Sequence, residues 1–219
     1  MDLRISVLEC IKKGKILRID LEDLSKIMDI RLLEYLKTRI ENDTVVIDNL
    51  EGMALLYIIL GGDPENVSQY IGWRSFEALV AGYLKLFEYD VAINIRAPPP
   101  RGFEADVIGV NIFKNLALVI DCKQWRVNRR SHLAKAVKDM EVRIDRIRAK
   151  CFIAIRKMPT LSRVRYLSPL IVTLRISQHI VINGIPIVPI YKLSNYLSNI
   201  DSYIDELEIK RYENPCFLR

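Results

Sequence analysis

An acid and a lysine, one position apart, end an apolar run in the sequence LALVIDCKQ, residues 116–124. Five consecutive apolar residues, 116–120, predict a β-strand that is covered on both faces. Asp121 and Lys123 then share a face, because side chains alternate along a strand. Charges held at the end of a buried strand alter each other's protonation, which suits hydrolytic chemistry better than packing. The other acid-x-Lys triplet, residues 208–210, lacks an apolar run before it, so the spacing alone is weak evidence.

A second carboxylate, Asp106, lies in the preceding segment, residues 103–110, whose alternation predicts another strand. Five residues join the two strands, a normal length for a β-hairpin. If Val110 faces Leu116, antiparallel register places Asp106 opposite Ile120, within one residue of the acid of the triplet. Two carboxylates this close repel unless a cation separates them, and hard oxygen ligands suit Mg²⁺ or Mn²⁺. The alternative is an ordinary cross-strand ion pair between Asp106 and the lysine.

A third acid, Glu77, lies near the start of a predicted helix, residues 73–89, that precedes both strands. Apolar residues recur in this segment at helical spacing, and Glu77 lies beside their stripe. The alternative interpretation is a solvated glutamate on the helix surface. The order helix, strand, acid-bearing strand, acid-x-Lys strand and helix favours a place for Glu77 in the same site.

These residues and their order resemble the PD-(D/E)XK nuclease superfamily, particularly archaeal Holliday-junction resolvases and Mrr-like restriction endonucleases. The resemblance covers about residues 71–200. It implies an α/β fold with a restriction-endonuclease-like core, a mixed central sheet flanked by helices. The matching segments are Glu77, Gly102-Phe103-Glu104-Ala105-Asp106, Asp121-Cys122-Lys123-Gln124, the helix over residues 131–150 and the strand and helix over residues 184–200.

The resemblance implies hydrolysis of phosphodiester bonds in DNA, assisted by one or two Mg²⁺ or Mn²⁺ ions. Asp106, Asp121 and the backbone carbonyl of Cys122 would bind the metal. Glu77 would bind a second ion or a metal-bound water. Lys123 would position or help deprotonate the attacking water and stabilise charge that builds on the phosphate.

Other implications concern the edge of the motif. Gln124 would contact the substrate or the metal shell. Ala105 stands where the family name has proline, and Asp121 replaces the more frequent glutamate, which shortens the arm that reaches the metal. Resolvases of this type act as symmetric dimers, so a homodimer is expected.

Positive charge is concentrated after the predicted site. Residues 122–165 contain 14 lysines and arginines against three acids, a formal charge of +11, and the chain total of +6 leaves −5 for the remainder. Beside a nuclease-like site this segment predicts a DNA-binding surface, although a basic helix alone is more often a solvated face. The stiff segment RAPPPRG, residues 96–102, would border the groove or be a tight structural loop. The residues predicted to contact nucleic acid are Arg96, Arg101, Arg126, Arg129, Arg130, Lys135 and Lys138.

An N-terminal helical module, residues 1–66, is predicted to precede a nuclease-like domain over residues 67–219. Segments 2–13, 20–29 and 31–42 are predicted as short amphipathic helices, followed by a strand over residues 44–48 and a helix near residues 52–60. The turn GGDPEN would be the hinge. The order resembles a winged helix in outline, but three helices can equally form a dimer interface or a cap. The lack of excess basic residues disfavours a groove reader.

Composition narrows the class of protein. Half of the 219 residues are apolar, which is ample for a core. Four scattered cysteines without a C-x-x-C pair suggest neither a zinc site nor a disulfide framework. No apolar stretch approaches the length of a membrane helix and no signal peptide is recognisable, so a cytoplasmic location is expected. Frequent isoleucine and arginine hint at a thermophile.

Two other functions are compatible with the same residues. One is a nucleic-acid-binding protein on a nuclease fold whose chemistry is lost. The complete set of three acids and a lysine disfavours it, because a pure binder has no need for mutually repelling acids. The other is an assembly or regulatory protein that acts through its N-terminal module.

Overall fold

A computed structural model describes residues 2–124, 130–174 and 181–218 of the chain. The chain divides into two compact units, Met1–Gly82 and Tyr83–Arg219. The domain boundary predicted after residue 66 lies within the first unit. Among the helices of the described ranges, none is both long and apolar enough to cross a membrane.

The first unit combines short helices with a three-stranded antiparallel sheet of order β1-β3-β2. A helix predicted over residues 31–42 is wrong at its end, because the chain turns at Lys37, which has a positive φ, and then forms a strand. Strand β1 was not predicted, since its alternation lasts four residues. The elements are α1 (Leu3–Lys13), β1 (Leu17–Asp20), α2 (Leu21–Ser25), a 3₁₀ helix (Ile30–Leu36), β2 (Arg39–Glu41), β3 (Thr44–Ile47), α3 (Leu50–Ile59), 3₁₀ turns (Pro64–Asn66, Ser68–Tyr70) and α4 (Trp73–Leu86), which continues into the second unit.

Side-chain caps explain where the helices of the first unit begin. Each cap oxygen accepts a backbone N–H from the first turn, which otherwise has no partner inside the helix. Four of the 14 acidic residues of this unit therefore have a structural role as caps. The capping residues are Asp2, Asp20, Asp29, Asn49 and Asp63.

Glu51 of α3 connects distant parts of the first unit. Its Oε1 accepts the backbone N–H of Gly72 at 2.6 Å, and its Oε2 accepts from Lys37 Nζ at 2.7 Å. Burial alone would raise the pKa of Glu51, but hydrogen bonds from Lys37, Gly72 and Ser75 outweigh burial and hold that pKa below its usual value. The ionised carboxylate is therefore stabilised by folding.

Replacing Glu51 by glutamine is expected to lower the free energy of unfolding by about 2 kcal/mol near neutral pH, since charged hydrogen bonds are lost. Because the folded pKa is depressed, this stabilisation is present above the unfolded pKa and disappears as pH falls through the folded value. Urea unfolding between about pH 7 and pH 3 measures both effects. Glu22, an exposed glutamate of α2, supplies the control substitution. Equal losses for the two variants at neutral pH would contradict this role of Glu51.

The second unit contains a seven-stranded mixed sheet of order β4-β5-β6-β7-β9-β8, with β10 also paired to β7. The pairs β4–β5 and β5–β6 are antiparallel, whereas the pairs β6–β7 and β7–β9 are parallel. The α/β class and the mixed sheet flanked by helices are thus as predicted. The strands are β4 (Asp90–Arg96), β5 (Glu104–Asn111), β6 (Leu116–Lys123), β7 (Tyr166–Thr173), β8 (Val181–Ile182), β9 (Ile185–Pro189) and β10 (Tyr212–Glu213).

Helix α5 covers one face of this sheet. Its apolar stripe packs against residues of β5, β6 and β7, and the burial of this stripe fixes which helix face looks toward the strands. The stripe consists of Leu133, Ala136, Val137, Met140, Ile144 and Ile147. The helices of the unit are α5 (Arg130–Ala149), α6 (Cys151–Lys157), α7 (Leu193–Ser198) and α8 (Ile200–Glu206), with 3₁₀ helices at Pro159–Arg163 and Ile190–Lys192.

The hairpin register differs by one residue from the register considered above. Asn111 extends β5 and pairs with Leu116, so Val110 faces Ala117. The connection therefore has four residues, and it closes because Asn111 Oδ1 accepts the N–H of Lys114 and Asn115 has a positive φ. The last pair of this ladder is Val107–Ile120, so the observed register, extended by one residue, sets Asp106 opposite Asp121 and not opposite Ile120.

A disulfide joins Cys151, at the start of α6, to Cys216 near the C-terminal end, with 5.9 Å between the Cα atoms. The expectation that the cysteines form no disulfide is therefore wrong for this pair. The partners are 65 positions apart, so spacing carried no signal. Cys10 and Cys122 are not part of a disulfide.

Candidate active site

The strand acids lie at neighbouring positions of β5 and β6. Val107 and Ile120 form the last antiparallel pair of these strands. Asp106 directly precedes that pair on β5, and Asp121 directly follows it on β6. Strand β6 is buried on both faces, because β5 and β7 flank it and apolar side chains cover it. The two carboxylates thus lie at the end of a buried part of the sheet.

Asp121 is the centre of a small ionic cluster. Its side chain is 3% exposed, and its Oδ2 lies 2.8 Å from Lys123 Nζ. Its Oδ1 lies 2.5 Å from Arg143 Nη1. The lysine and arginine side chains are 24% and 18% exposed, so the interactions are shielded from bulk water. The structure therefore brings the acid and the lysine of the triplet together, as strand alternation requires.

Asp106 is also buried, and its Oδ2 accepts the backbone N–H of Cys122 at 2.8 Å. The antiparallel ladder between β5 and β6 ends at the pair Val107–Ile120, two residues before Cys122. The Asp106 carboxylate therefore accepts a backbone N–H of β6 that lies beyond the ladder. Lys123 forms its ion pair with Asp121. The alternative prediction is an ion pair between Asp106 and Lys123 across the two strands. The ion pair with Asp121, on the same strand, already accounts for the position of Lys123.

Glu77 lies on α4, within the first unit, and is 3% exposed. The indole N–H of Trp73, one helical turn earlier, donates to its Oε1. A solvated glutamate on the helix surface, the alternative interpretation, is therefore wrong. A buried carboxylate is costly unless it is hydrogen-bonded or neutralised, and the Trp73 indole supplies such a hydrogen bond to Glu77.

Cys122 and Gln124 complete the motif. The Cys122 side chain is fully buried and, by strand alternation, lies on the sheet face opposite Asp121 and Lys123. Its thiol is thus kept away from the ionic cluster, whereas its backbone stays beside Asp106. Gln124 directly follows β6 and is half-buried.

The candidate metal ligands are oxygen atoms, the type of ligand that a hard divalent cation prefers. Within the residues that the structure describes, no three histidine, cysteine, aspartate or glutamate side chains form a cation-binding cluster. The donors available in the second unit are the carboxylates of Asp106 and Asp121 and the backbone carbonyl of Cys122, which are all oxygen atoms, as Mg²⁺ and Mn²⁺ prefer. Each carboxylate already has a protein partner, so a cation would have to compete with these contacts.

Arg143 was missed by sequence reasoning. It lies three residues after Met140 of the buried stripe of α5, a position at which helical spacing predicts an apolar residue. A charged residue at such a position was a usable signal, because a long side chain there must find a partner under the helix. The strand that supplies this partner is fixed by packing and not by local sequence.

A groove of about 590 Å³ opens beside the ionic cluster, between the β4–β5 loop and α5. Arg143 lines the groove and also contacts Asp121, so it connects the two. Other lining residues are Arg96, Pro99, Glu104, Asp139 and Arg146. The groove carries both signs of charge, and Arg96 forms an ion pair with Glu104 at 2.6 Å.

The basic segment, residues 122–165, is predicted to bind DNA, but part of it has a structural role. Lys150 Nζ donates to the carbonyl oxygens of Pro98 and Pro100, and Arg146 donates to that of Gly102. Lys157 donates to the carbonyl oxygen of Arg96. These contacts hold the β4–β5 loop, residues 97–103, here called the proline-rich loop, at the rim of the groove.

The other predicted nucleic-acid contacts are dispersed. Arg101 is exposed in the proline-rich loop, and Lys135 and Lys138 are exposed on α5. Arg130 is the first residue of α5. Arg126 and Arg129 lie outside the described residues.

Comparisons with known proteins assign no family. No protein-family model matches the chain, and no curated protein matches it. The crystal structure of protein VC1899 from Vibrio cholerae aligns with 93% of this chain at 16% identity and a TM-score of 0.36. The chain spans half the length of that protein. A similarity of this size carries no argument about fold or function.

Proposed function

We propose that the protein is a metal-dependent DNA nuclease, acting as an endonuclease, with a restriction-endonuclease-like core in its second unit. The observation that carries the proposal is that two buried carboxylates, Asp106 and Asp121, lie with the partly exposed Lys123 at neighbouring positions of two adjacent strands. The order of antiparallel β4, β5 and β6, then α5 and parallel β7, supports the PD-(D/E)XK topology. Buried, mutually repelling acids beside a lysine are characteristic of sites that do chemistry.

The residues divide the chemistry between them. Asp106, Asp121 and the backbone carbonyl of Cys122, all in the second unit, would bind Mg²⁺ or Mn²⁺. The ion would act as a Lewis acid on the phosphate. Lys123, held by Asp121, orients the attacking water and stabilises negative charge on the phosphoryl oxygens. Gln124 is the proposed substrate contact beyond the lysine.

The first unit is proposed to be a winged-helix-like module that mediates assembly. Its order of helix, strand, two short helices and two strands in an antiparallel sheet supports that topology. Residues 1–82 carry 10 basic residues against 14 acidic ones. The basic residues of its sheet and of its 3₁₀ helix form ion pairs with acids of the same unit, which argues against a reader of DNA grooves. These pairs are Arg18–Glu41, Arg31–Asp29 and Arg39–Asp48.

A panel of labelled DNA substrates tests the proposal. Linear duplex, single strand, flap and four-way junction are incubated with Mg²⁺, Mn²⁺ or chelator, and products are resolved on denaturing gels. We expect internal cleavage of at least one substrate with either ion and none with chelator. Sedimentation of the protein with and without DNA tests the homodimer that the family resemblance implies.

A nucleic-acid-binding protein without catalysis is the second candidate, and one observation favours it. Both oxygens of Asp121 already contact cationic side chains, so Lys123 and Arg143 satisfy the acid without a metal. Tight binding of a substrate from the same panel, with no cleavage under Mg²⁺ or Mn²⁺, would make this the better account.

A further inference from the structure

Arg143 belongs both to the groove and to the ionic cluster. Its guanidinium lines the groove between the β4–β5 loop and α5, and the same group lies 2.5 Å from Asp121 Oδ1. The neighbouring Arg146 also lines the groove, but it donates to the carbonyl oxygen of Gly102. Arg143 is therefore the arginine through which an anion in the groove would act on the carboxylate.

Arg143 occupies an acceptor position of Asp121 Oδ1 and places a positive charge beside it, so it competes with a cation for this oxygen. Lys123 occupies the other oxygen at 2.8 Å, so the carboxylate is satisfied from both sides. Two positive side chains beside a carboxylate also repel an approaching divalent ion. A ligand that draws the Arg143 guanidinium toward the groove would free its acceptor position on Oδ1 and would also move its positive charge away from that oxygen.

Phosphodiester groups are suitable ligands for this purpose. Guanidinium groups bind phosphate through paired N–H donors, and an arginine shared between two anions divides its donors between them. Arg96 and Arg146 line the same groove, so a phosphate there would meet further positive charge. Glu104 and Asp139 limit this attraction, which suits a strand held at a few phosphates rather than a strongly basic channel.

We infer that Arg143 is a positioning residue that couples the groove to the metal site, so that a phosphodiester strand in the groove releases Asp121 for a divalent cation. The inference deepens the proposed nuclease function and depends on its metal site. Coupling of this kind is reciprocal, since the cation must strengthen strand binding by the same factor. A cation would then be bound tightly when substrate is present and weakly in its absence.

Calorimetric titration of Ca²⁺ into the full chain, with and without a short DNA duplex, tests the inference. Ca²⁺ is a hard cation with oxygen ligands, and a denaturing gel verifies that the duplex stays intact. For the unmodified protein we expect the duplex to raise Ca²⁺ affinity by about tenfold or more. An equal affinity with and without the duplex would overturn the inference, and this arm does not depend on any variant folding.

Arg143→Met separates coupling from a structural role. We expect Ca²⁺ to bind this variant more tightly than the unmodified protein without DNA, because its competitor for Oδ1 is gone. The duplex should bind more weakly, and the effect of the duplex on Ca²⁺ affinity should fall to near onefold. Weaker Ca²⁺ binding without DNA, or coupling that persists, would overturn the inference.

Arg148→Met is the matched control, since Arg148 lies on the same helix and contacts Asp145 and the carbonyl oxygen of Glu213 instead. We expect this variant to keep the coupling of the unmodified protein. Cleavage is not the readout, so the outcomes of the two proposals are distinguishable. Cleavage without coupling would leave the nuclease proposal and remove this one, whereas coupling without cleavage would do the reverse.

Discussion

Replacing Lys123 by methionine is expected to lower the rate of Mg²⁺-dependent DNA cleavage by about 10³-fold, the size of effect seen when a group that stabilises transition-state charge is removed. The lysine ammonium lies 2.8 Å from Asp121 and is mostly shielded from water, so no other group in the ionic cluster can replace its position beside the proposed metal ligands. Methionine keeps an unbranched apolar stem, and Arg143 still neutralises the acid. The fold should therefore persist, and single-turnover kinetics measures the loss.

Lys210→Met is the control for this prediction. Lys210 ends the other acid-x-Lys triplet, and it forms an ion pair with Glu141 at 2.7 Å, outside the ionic cluster. The two substitutions remove the same group from the same local sequence pattern. Full activity in the Lys210 variant with the expected loss in the Lys123 variant assigns the effect to the strand site. Undiminished cleavage by the Lys123 variant would remove the lysine from the mechanism.

The second large effect concerns the disulfide between Cys151 and Cys216. The bridge closes a chain segment across 65 positions, and the loss of that constraint in the unfolded chain corresponds to about 4 kcal/mol. Replacing both cysteines by serine is expected to reduce the free energy of unfolding by about this amount. Guanidinium unfolding of the oxidised protein, the reduced protein and the double variant measures it.

Cys10→Ser serves as the control, because Cys10 is a free and partly exposed cysteine in the first unit. Its replacement should change stability by less than about 0.5 kcal/mol. Reduction should act on the unmodified protein and leave the double variant unaffected. Mass spectrometry under non-reducing conditions that finds four alkylatable thiols would contradict the disulfide itself.

Local periodicity was enough to predict part of the site. Asp121 and Lys123 lie two positions apart on one strand, so their meeting depends only on strand alternation. Predicting the position of Asp106 required the register of the β5–β6 hairpin, which depends on whether Asn111 belongs to the strand or to the turn. That choice is made by a side-chain hydrogen bond to Lys114 and by the positive φ of Asn115, neither of which hydrophobic alternation reports.

The remaining features depend on contacts that are remote in sequence. Arg143 reaches Asp121 because the apolar stripe of α5 docks on β6, across 22 positions of chain. Likewise, the lysines that hold the proline-rich loop lie on helices far along the chain, so a charge count includes them in the segment that is predicted to bind DNA. Short elements of the first unit, such as β1, are formed by pairing with β3 and have too few residues for a periodic signal.

Metal-dependent cleavage by the unmodified protein and by Asp106→Asn, across a range of Mg²⁺ concentrations and with excess chelator, tests the central proposal most directly. Asparagine retains an oxygen that can accept from the N–H of Cys122, so the strand contact survives while the charge is lost. We predict saturable Mg²⁺ dependence for the unmodified protein, no cleavage with chelator, and a rate at least about 10²-fold lower for the variant. Cleavage that persists with chelator, or a variant that cuts as fast as the unmodified protein, would contradict the account.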